Sequence, residues 1–373
     1  MREQRDHPAQ RFYRDPARSW TLPAPFYFEP DIYRQELDGI FYRSWNFVCH
    51  EALVREPGAF TTTRVGDQSI LVIRGKDRLL RAFYNVCQHR GHELLKGRGD
   101  GVKAIVCPYH AWSYRLDGSL RTARGAEALP DFNPDDFGLK PVRVETLFSC
   151  VFVNLDPDAP TLRSQAGDLE AEILSAMPDL GGLTFARRLT WDVKANWKNA
   201  VDNFLECYHC APAHPAFTQL VDMSSYRSVC HGLWSSHKGR MGRGADAVYE
   251  VGPDASNQTF AAWWLWPNAT FVLLPGSDGL MTFHMAPTGP EITFECADFY
   301  FRQAEPSRGE EEAIAYMDKV LNPEDIAIVE SVQRGLHSRG YRQGRYMVDE
   351  DRTALSEHTV HHFHGLVLDA LQR

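Results

Sequence analysis

Long apolar runs are missing from this chain. The longest, Phe260 to Trp266, falls far short of the ~20 residues a membrane-spanning helix needs. The first twenty residues contain no apolar stretch like that of a secretory leader, and Glu3, Asp6 and Asp15 are wrong for an acid-poor transit peptide. The expectation is a soluble, cytoplasmic protein without a membrane partner. Cysteine is scarce: eight in 373 residues cannot form a disulfide scaffold. Positive charge is in deficit, with 40 Lys and Arg against 49 Asp and Glu, so a nucleic-acid partner held by phosphate attraction is not expected. There is no internal repeat, no low-complexity tract and no dinucleotide fingerprint. Gly97-Arg98-Gly99-Asp100-Gly101 lacks the strand-to-helix setting of such a fingerprint and reads as a turn. What remains is an ordinary folded composition, 43 % hydrophobic and 24 % charged, long enough for two or three domains.

The texture changes along the chain. Residues 21–45 read as a helical entry segment, with Ile32, Leu37, Ile40, Phe41 and Trp45 as its apolar positions. Up to about residue 155, short runs such as SILVI (69–73), LLRAFYNV (79–86), VKAIV (102–106) and CVFVNL (150–155) are rich in branched and aromatic residues. Asp117-Gly118 adds a hairpin-turn signal, and the segment reads as an all-β module. Beyond Pro157 and Pro160 the reading is a helix over 161–177, a strand over 183–194, a helix over 196–210 closed by Pro212, strands over 258–302 and a helical stretch over 308–337. Several strands with long helices in one segment make an α+β domain, with a cavity between helices and sheet.

Two loops carry the first chemistry. Cys87-Gln88-His89 and Cys107-Pro108-Tyr109-His110 each offer one thiolate and one imidazole, and each follows a strand-like run. Zinc modules usually pair like ligands, whereas a Rieske [2Fe–2S] cluster, with two Cys on one iron and two His on the other, needs mixed loops. Structural zinc is the lesser alternative. Trp112 is placed to shield the site, and His92, outside the pairing, reads as a loop hydrogen-bonder.

The second chemistry lies in NWKNAVDNFLECYHCAPAHP. Glu206 and His209 are i, i+3 on the predicted helix, and Pro212 would let His214 turn back towards His209. Two His and one carboxylate make the facial triad of non-haem Fe(II) oxygenases. Asn322-Pro323-Glu324-Asp325 reads as the start of a helix whose Asp325, Val329, Val332 and Leu336 share one face, so Asp325 is a candidate carboxylate. A capping-box role for Asp325 is the bland alternative, Glu324 is the weaker ligand candidate, and Glu206 is either a ligand or an orienter of His209. His361, His362 and His364 read as a solvated or interfacial helix. Trp264 and Trp266 share a strand face, and with Phe204 they are candidates for an aromatic cage around a cation; plain core is the competing reading for the tryptophans.

NVCQHRGH with CPYHAW, and NWKNAVDNFLECYHCAPAHP downstream, resemble the cluster and mononuclear iron signatures of the oxygenase (α) subunits of Rieske non-haem iron oxygenases, over nearly the whole chain. The likeness implies a fold: an all-β Rieske domain (45–156) inserted near the N-terminus of a helix-grip (Bet v1-like, START-like) catalytic domain (1–44 and 157–373). It implies one [2Fe–2S] cluster on Cys87, His89, Cys107 and His110, and one Fe²⁺ on His209, His214 and Asp325. That family usually has Asp as the carboxylate linking the two sites between subunits. Here the matching position is Glu206, as in the branch acting on quaternary ammonium compounds. ECYHCAPAHP, PEDIAIVESVQRGLHSRGY and SEHTVHHFH look most like the carnitine monooxygenases, with glycine betaine, proline betaine and choline oxygenases as neighbours; Phe204 stands where a Tyr is expected. The resemblance further implies a homotrimer, O₂ as co-substrate and a separate flavin/[2Fe–2S] reductase. The expected reaction oxidises a carbon next to a quaternary nitrogen and cleaves the C–N bond, turning carnitine into trimethylamine and malic semialdehyde. The readings that compete with this are demethylation or hydroxylation of a betaine or choline, and a Rieske electron carrier with no oxygenase chemistry.

Overall fold

A computed structural model describes residues 11–251 and 257–372; the readings made on residues 1–10 lie outside them. The chain divides into two units. One comprises residues 41–165 with 170–174, and the other the segments up to 40, 166–169 and 175 onward.

The first unit is built on β-strands, with short helical segments at 162–165 and 170–174. Antiparallel strands are ordered Asn46–His50, Cys150–Asn154, Pro141–Leu147, Leu80–Tyr84, Gln68–Arg74, Phe60–Val65 and Arg98–Gly99. A small sheet of Ile105–Val106, Ser113–Tyr114 and Leu120–Thr122 completes it. Gly118, at φ +88°, makes the hairpin turn that Asp117-Gly118 signalled, a conformation L side chains resist. The 97–101 tract is more than a turn: Arg98 and Gly99 pair with Thr61 and Phe60. Leu71, Ile73, Phe83, Ile105, Tyr114 and Leu116 form a buried core that includes Cys87 and Cys107.

The second unit is built on one antiparallel sheet, ordered Thr184–Val193, Ile292–Phe301, Leu280–Gly289, Ala269–Leu273, Thr259–Leu265, Trp234–Arg240 and Arg227–His231. Register puts Ala262, Val272, Met281 and Glu295 on the same face, against which the helices pack. Thr293 Oγ1 donates to the carbonyl of Ala195 just before the helix Trp197–Phe204, and Asn322 Nδ2 of Asn322–Leu336 donates to Glu295. Further along the sheet, Phe363 of His358–Leu371 meets Trp264 edge-on. The sheet therefore wraps helices on one face, the α+β grip expected from the resemblance.

Four helical readings change. The entry segment is a 3₁₀ turn (Ala24–Tyr27), an α-helix (Pro30–Glu36) and a π turn (Leu37–Phe41). Gly167 at φ +55° breaks 161–177 into Leu162–Ala166 and Leu169–Ala176. The helix read as 196–210 ends at Phe204. Asn322 caps nothing: helix runs from Arg308, under a Ser307–Glu310 capping box, through a π turn at Met317–Leu321 into Asn322–Leu336. Pro323 supplies no N–H and its ring presses on the carbonyl four residues back, inside that turn, so the ladder widens where the sequence suggested a new start.

One buried ion pair ties the entry segment to the helix Trp197–Phe204. Lys198 Nζ lies 2.5 Å from Glu36 Oε1 and 2.8 Å from Asn196 Oδ1, and Trp197 Nε1 donates to Glu36 Oε2 at 2.8 Å. Both charged side chains are fully buried.

Candidate metal centres and the cavity beside them

The two Cys/His loops of the first unit repeat one backbone plan. Cys87 N–H donates to the His92 carbonyl and Gly91 N–H to the Cys87 carbonyl; likewise Cys107 N–H donates to the Trp112 carbonyl and Ala111 N–H to the Cys107 carbonyl. Gly91 and Ala111 take the same left-handed turn, at φ +72° and +60°. Two matching tips result, each offering one buried cysteine and one histidine. The His89 and His110 rings lie 4.8 Å apart, and Trp112 stacks on His89 at 4.7 Å, as its shielding role required. Both cysteines are reduced, and Nδ1 of His110 is buried without a protein partner among the described residues. Two free thiols and two adjacent imidazoles, one with an orphaned nitrogen, fit the donor set of a Rieske cluster.

In the second unit the expected trio converges. His214 Nε2 lies 2.9 Å from Asp325 Oδ1 and His209 Nε2 lies 3.5 Å from the same oxygen. One donor atom from each residue falls within 4.8 Å of the others. Ligands ~2.1 Å from one metal, at right angles, stand ~3 Å apart, so the set fits a single transition metal. The outer ring nitrogens are held by two further acids. His209 Nδ1 donates to Glu206 Oε1 at 2.5 Å, and His214 Nδ1 to Glu324 Oε2 at 2.7 Å. Each acid fixes a tautomer whose Nε2 lone pair faces inward. Burial lowers the basicity of His209, yet the hydrogen bonds to Asp325 and Glu206 outweigh it and raise the imidazole to about 10. His214 is raised as well, by the bond to Asp325 against the same desolvation. Such a pocket attracts positive charge, and a divalent metal meets that demand in place of ring protons.

The local route to this geometry differs from the helical one. Glu206 and His209 lie in the turn after Phe204; Glu206 Oε2 accepts the His209 backbone N–H at 3.1 Å, and that bond replaces the i, i+3 helix face. Pro212 sits inside the short helix Cys210–Ala213. The break comes from Pro215, which excludes its predecessor His214 from the helical region; His214 sits at φ −123°, ψ 72° and starts Pro215–Leu220. Of the face that Asp325 heads, Val329 and Leu336 are buried, whereas Val332 is exposed.

A cavity of about 110 Å³ opens beside the trio. Phe204 lines it, as do Phe260 and Ala262 of the tryptophan-bearing strand. Trp264 and Trp266 are not among its lining residues. Trp264 has the right face but the wrong place along the strand: it and Trp266 pack on Phe363. They are core. The histidine tract is a packed helix rather than a solvated one; His364 is buried, with Nε2 at 2.8 Å from Asp202 Oδ1 and Nδ1 at 2.5 Å from the Tyr346 hydroxyl. Tyr27 donates to the other Asp202 oxygen at 2.7 Å. Sequence reasoning missed this quartet. Asp202 and His364 both stood in quoted motifs, but nothing in the sequence pairs two positions so far apart. Glu324 was weighed only as a ligand, though a second acid beside Asp325 was its signal.

Comparison with known proteins follows the same lines. Residues 44–133 match the Rieske [2Fe-2S] domain, and residues 180–373 match the ring hydroxylating alpha subunit (catalytic domain). The chain belongs to the Rieske ring-hydroxylating oxygenase α subunits, enzymes carrying a [2Fe–2S] cluster and a mononuclear iron. Within that family it is 40 % identical to the carnitine monooxygenase oxygenase subunit of Escherichia coli (strain K12) over 360 residues, 96 % of each chain. It is 31 % identical to the chloroplastic choline monooxygenase of Spinacia oleracea, over 94 % of this chain and 78 % of that one. The crystal structure of the quaternary ammonium Rieske monooxygenase CntA with L-carnitine superposes with a TM-score of 0.89 at 38 % identity, covering 96 % of this chain and 97 % of the other. No helix among the described residues is long and apolar enough to cross a membrane.

Proposed function

We propose that this chain is the oxygenase component of a two-component monooxygenase that oxidises a quaternary ammonium compound, carnitine first among them, and cleaves its C–N bond. The observation that carries this reading is the 40 % identity, end to end, with a carnitine monooxygenase oxygenase subunit. In this reading residues 45–156 hold the cluster through Cys87, His89, Cys107 and His110, and the remainder holds Fe²⁺ through His209, His214 and Asp325. When bound, the cluster supplies single electrons and the iron supplies O₂ reduction. The relatives' standing as oxygenase subunits supports a separate reductase, which in this reading is a flavin/[2Fe–2S] protein. The net reaction takes up O₂, two electrons and two protons; it yields water, protonated trimethylamine and the aldehyde left when the hydroxylated carbon releases nitrogen.

Glu206 orients His209 and keeps lone pairs free, because each carboxylate oxygen accepts more than one hydrogen bond. We assign it the bridge to a neighbouring copy's cluster in a homotrimer. Phe204 contributes an aromatic edge to the substrate cavity. The test is a coupled assay of the metal-replete chain with reductase and NADH over carnitine, γ-butyrobetaine, glycine betaine, proline betaine and choline. Trimethylamine formed one-to-one with carnitine consumed is the expected result. Formaldehyde from a betaine, with carnitine inert, would move the assignment to an N-demethylase. Two iron atoms per chain instead of three would make the protein an electron carrier.

A further inference from the structure

The cavity beside the metal trio contains one acid that the metal chemistry does not use. Glu295 is 4 % exposed, stands in the middle of Ile292–Phe301 and lines the cavity. Asn322 Nδ2 donates to its Oε2 at 2.9 Å. Asn322 is one helical turn before Asp325, so the same helix edge fixes the spacing between Glu295 and the metal carboxylate. None of the lining residues is Lys or Arg. The lining histidine outside the trio, His237, has both ring nitrogens engaged by the hydroxyls of Tyr226 and Ser235, at 3.0 Å each, and burial lowers it to about 3. The second unused group is Tyr316, 5 % exposed, whose hydroxyl is buried without a protein partner among the described residues. Leaving a buried hydroxyl unpaired is costly, and native structures rarely do so.

We propose that Glu295 is the counter-ion that seats the substrate's quaternary nitrogen, and that the Tyr316 hydroxyl donates to the substrate's oxygen-bearing end. The inference rests on the quaternary ammonium reading above and names its subsite. A quaternary ammonium has no N–H to donate, so only opposite charge and aromatic faces recognise it. Burial raises the Glu295 carboxyl to about 7, and a cation seated beside it favours the ionised form, which provides the first; Phe204 and Phe260 provide the second. Glu295 and Asp325 line the same cavity and are close enough for their charges to interact, so a nitrogen seated at Glu295 holds its neighbouring carbons in the cavity that the metal trio borders. The oxygen of a carnitine or betaine then needs a neutral donor, and Tyr316 lines the cavity with a buried hydroxyl that has no protein partner among the described residues.

The competing account is that Glu295 only buttresses the helix through Asn322. Glu295→Gln separates the two, because glutamine keeps the size and the acceptor for Asn322 but loses the charge. Binding to the metal-replete, anaerobic protein is measured by calorimetry for γ-butyrobetaine and for its carbon isostere, in which a tert-butyl group replaces trimethylammonium. Wild type should favour the cation. Glu295→Gln should weaken the cation by about thirtyfold or more, leave the isostere within about twofold, and retain full iron content. Tyr316→Phe should weaken γ-butyrobetaine and leave tetramethylammonium unchanged. Equal weakening of cation and isostere in Glu295→Gln, with wild type binding normally, overturns the subsite alone. A wild-type protein that binds no quaternary ammonium compound overturns the substrate class and the subsite together.

Discussion

The proposed cluster site draws its four residues from positions 87–110 of one unit, and the proposed iron site draws its three from positions 209–325 of the other. At the cluster tips, backbone hydrogen bonds repeat the same turn twice, so the ligand positions are set before any side chain contributes. At the iron site the backbone brings the residues near, but side-chain acids do the aiming: Glu206 holds His209 and Glu324 holds His214. A backbone-built site tolerates side-chain changes around it, which tune it without dismantling it. A side-chain-built site can be weakened step by step, one acid at a time.

That contrast is tested most severely at Asp325. Asp325→Ala should empty the iron site and abolish turnover while the red-brown cluster and its EPR spectrum persist. Glu324→Gln keeps an acceptor for His214 but loses the charge, so it should retain the fold and lose at most about ten- to a hundredfold in iron affinity, the usual cost of disturbing a group that orients a ligand. Iron analysis and cluster absorbance on the same preparations check both. If Glu324→Gln emptied the site and Asp325→Ala did not, the roles of the two acids would be exchanged.

A smaller effect is expected at the buried pair beneath the helix Trp197–Phe204. Lys198→Met leaves Glu36 charged, buried and short of its partner, which costs about 3–5 kcal/mol. Glu36→Gln combined with Lys198→Met should recover much of that loss, since the uncompensated charge is gone. Denaturant unfolding of the single and double variants measures it. The single variant should also bind iron less tightly with its cluster spectrum unchanged, because the turn carrying Glu206 and His209 follows that helix. Cluster loss parallel to iron loss would mean that the two sites do not stand on separate supports.

How much of this the sequence disclosed follows from the same contrast. C-x-H and C-x-x-H are local patterns, and the Asp117-Gly118 turn and the strand runs around them are local too, so the cluster tips were legible almost residue by residue. The iron trio was legible as chemistry but not as geometry. A helix through Glu206 and His209 was the wrong vehicle, and the break at His214 belonged to Pro215, not Pro212, because a proline constrains the residue before it. Asn322 looked like a cap because Pro323 follows it, and the π turn that absorbs that proline has no sequence signature of its own. The tryptophans misled through parity. Residues 260, 262 and 264 do share a face, but only tertiary structure reveals that Phe363 covers the last of them. Pairings such as Asp202 with His364, or Glu36 with Lys198, join distant segments and leave no periodic trace.

The smallest expected effect lies at the cluster, where side chains should tune and not build. The Tyr114 hydroxyl accepts the Gln88 N–H at 3.0 Å and lies 3.3 Å from Cys87 Sγ. A ligating thiolate has no hydrogen of its own to donate, so with the cluster bound the Tyr114 hydroxyl is the donor of this contact. A donor to a ligating thiolate stabilises the electron-rich, reduced form more than the oxidised form and so raises the reduction potential. Tyr114→Phe removes that donor and keeps the ring in its buried place. A differential of about 1 kcal/mol for one hydrogen bond corresponds to roughly 40 mV for one electron, and the shift should be downward. Redox titration followed by EPR reads the potential, while iron content and substrate binding at the other site should not move. An unchanged potential would show that the hydroxyl hydrogen is aimed elsewhere. A lost cluster would show that Tyr114 holds the tip in place, and the backbone account of the cluster site would fall with it.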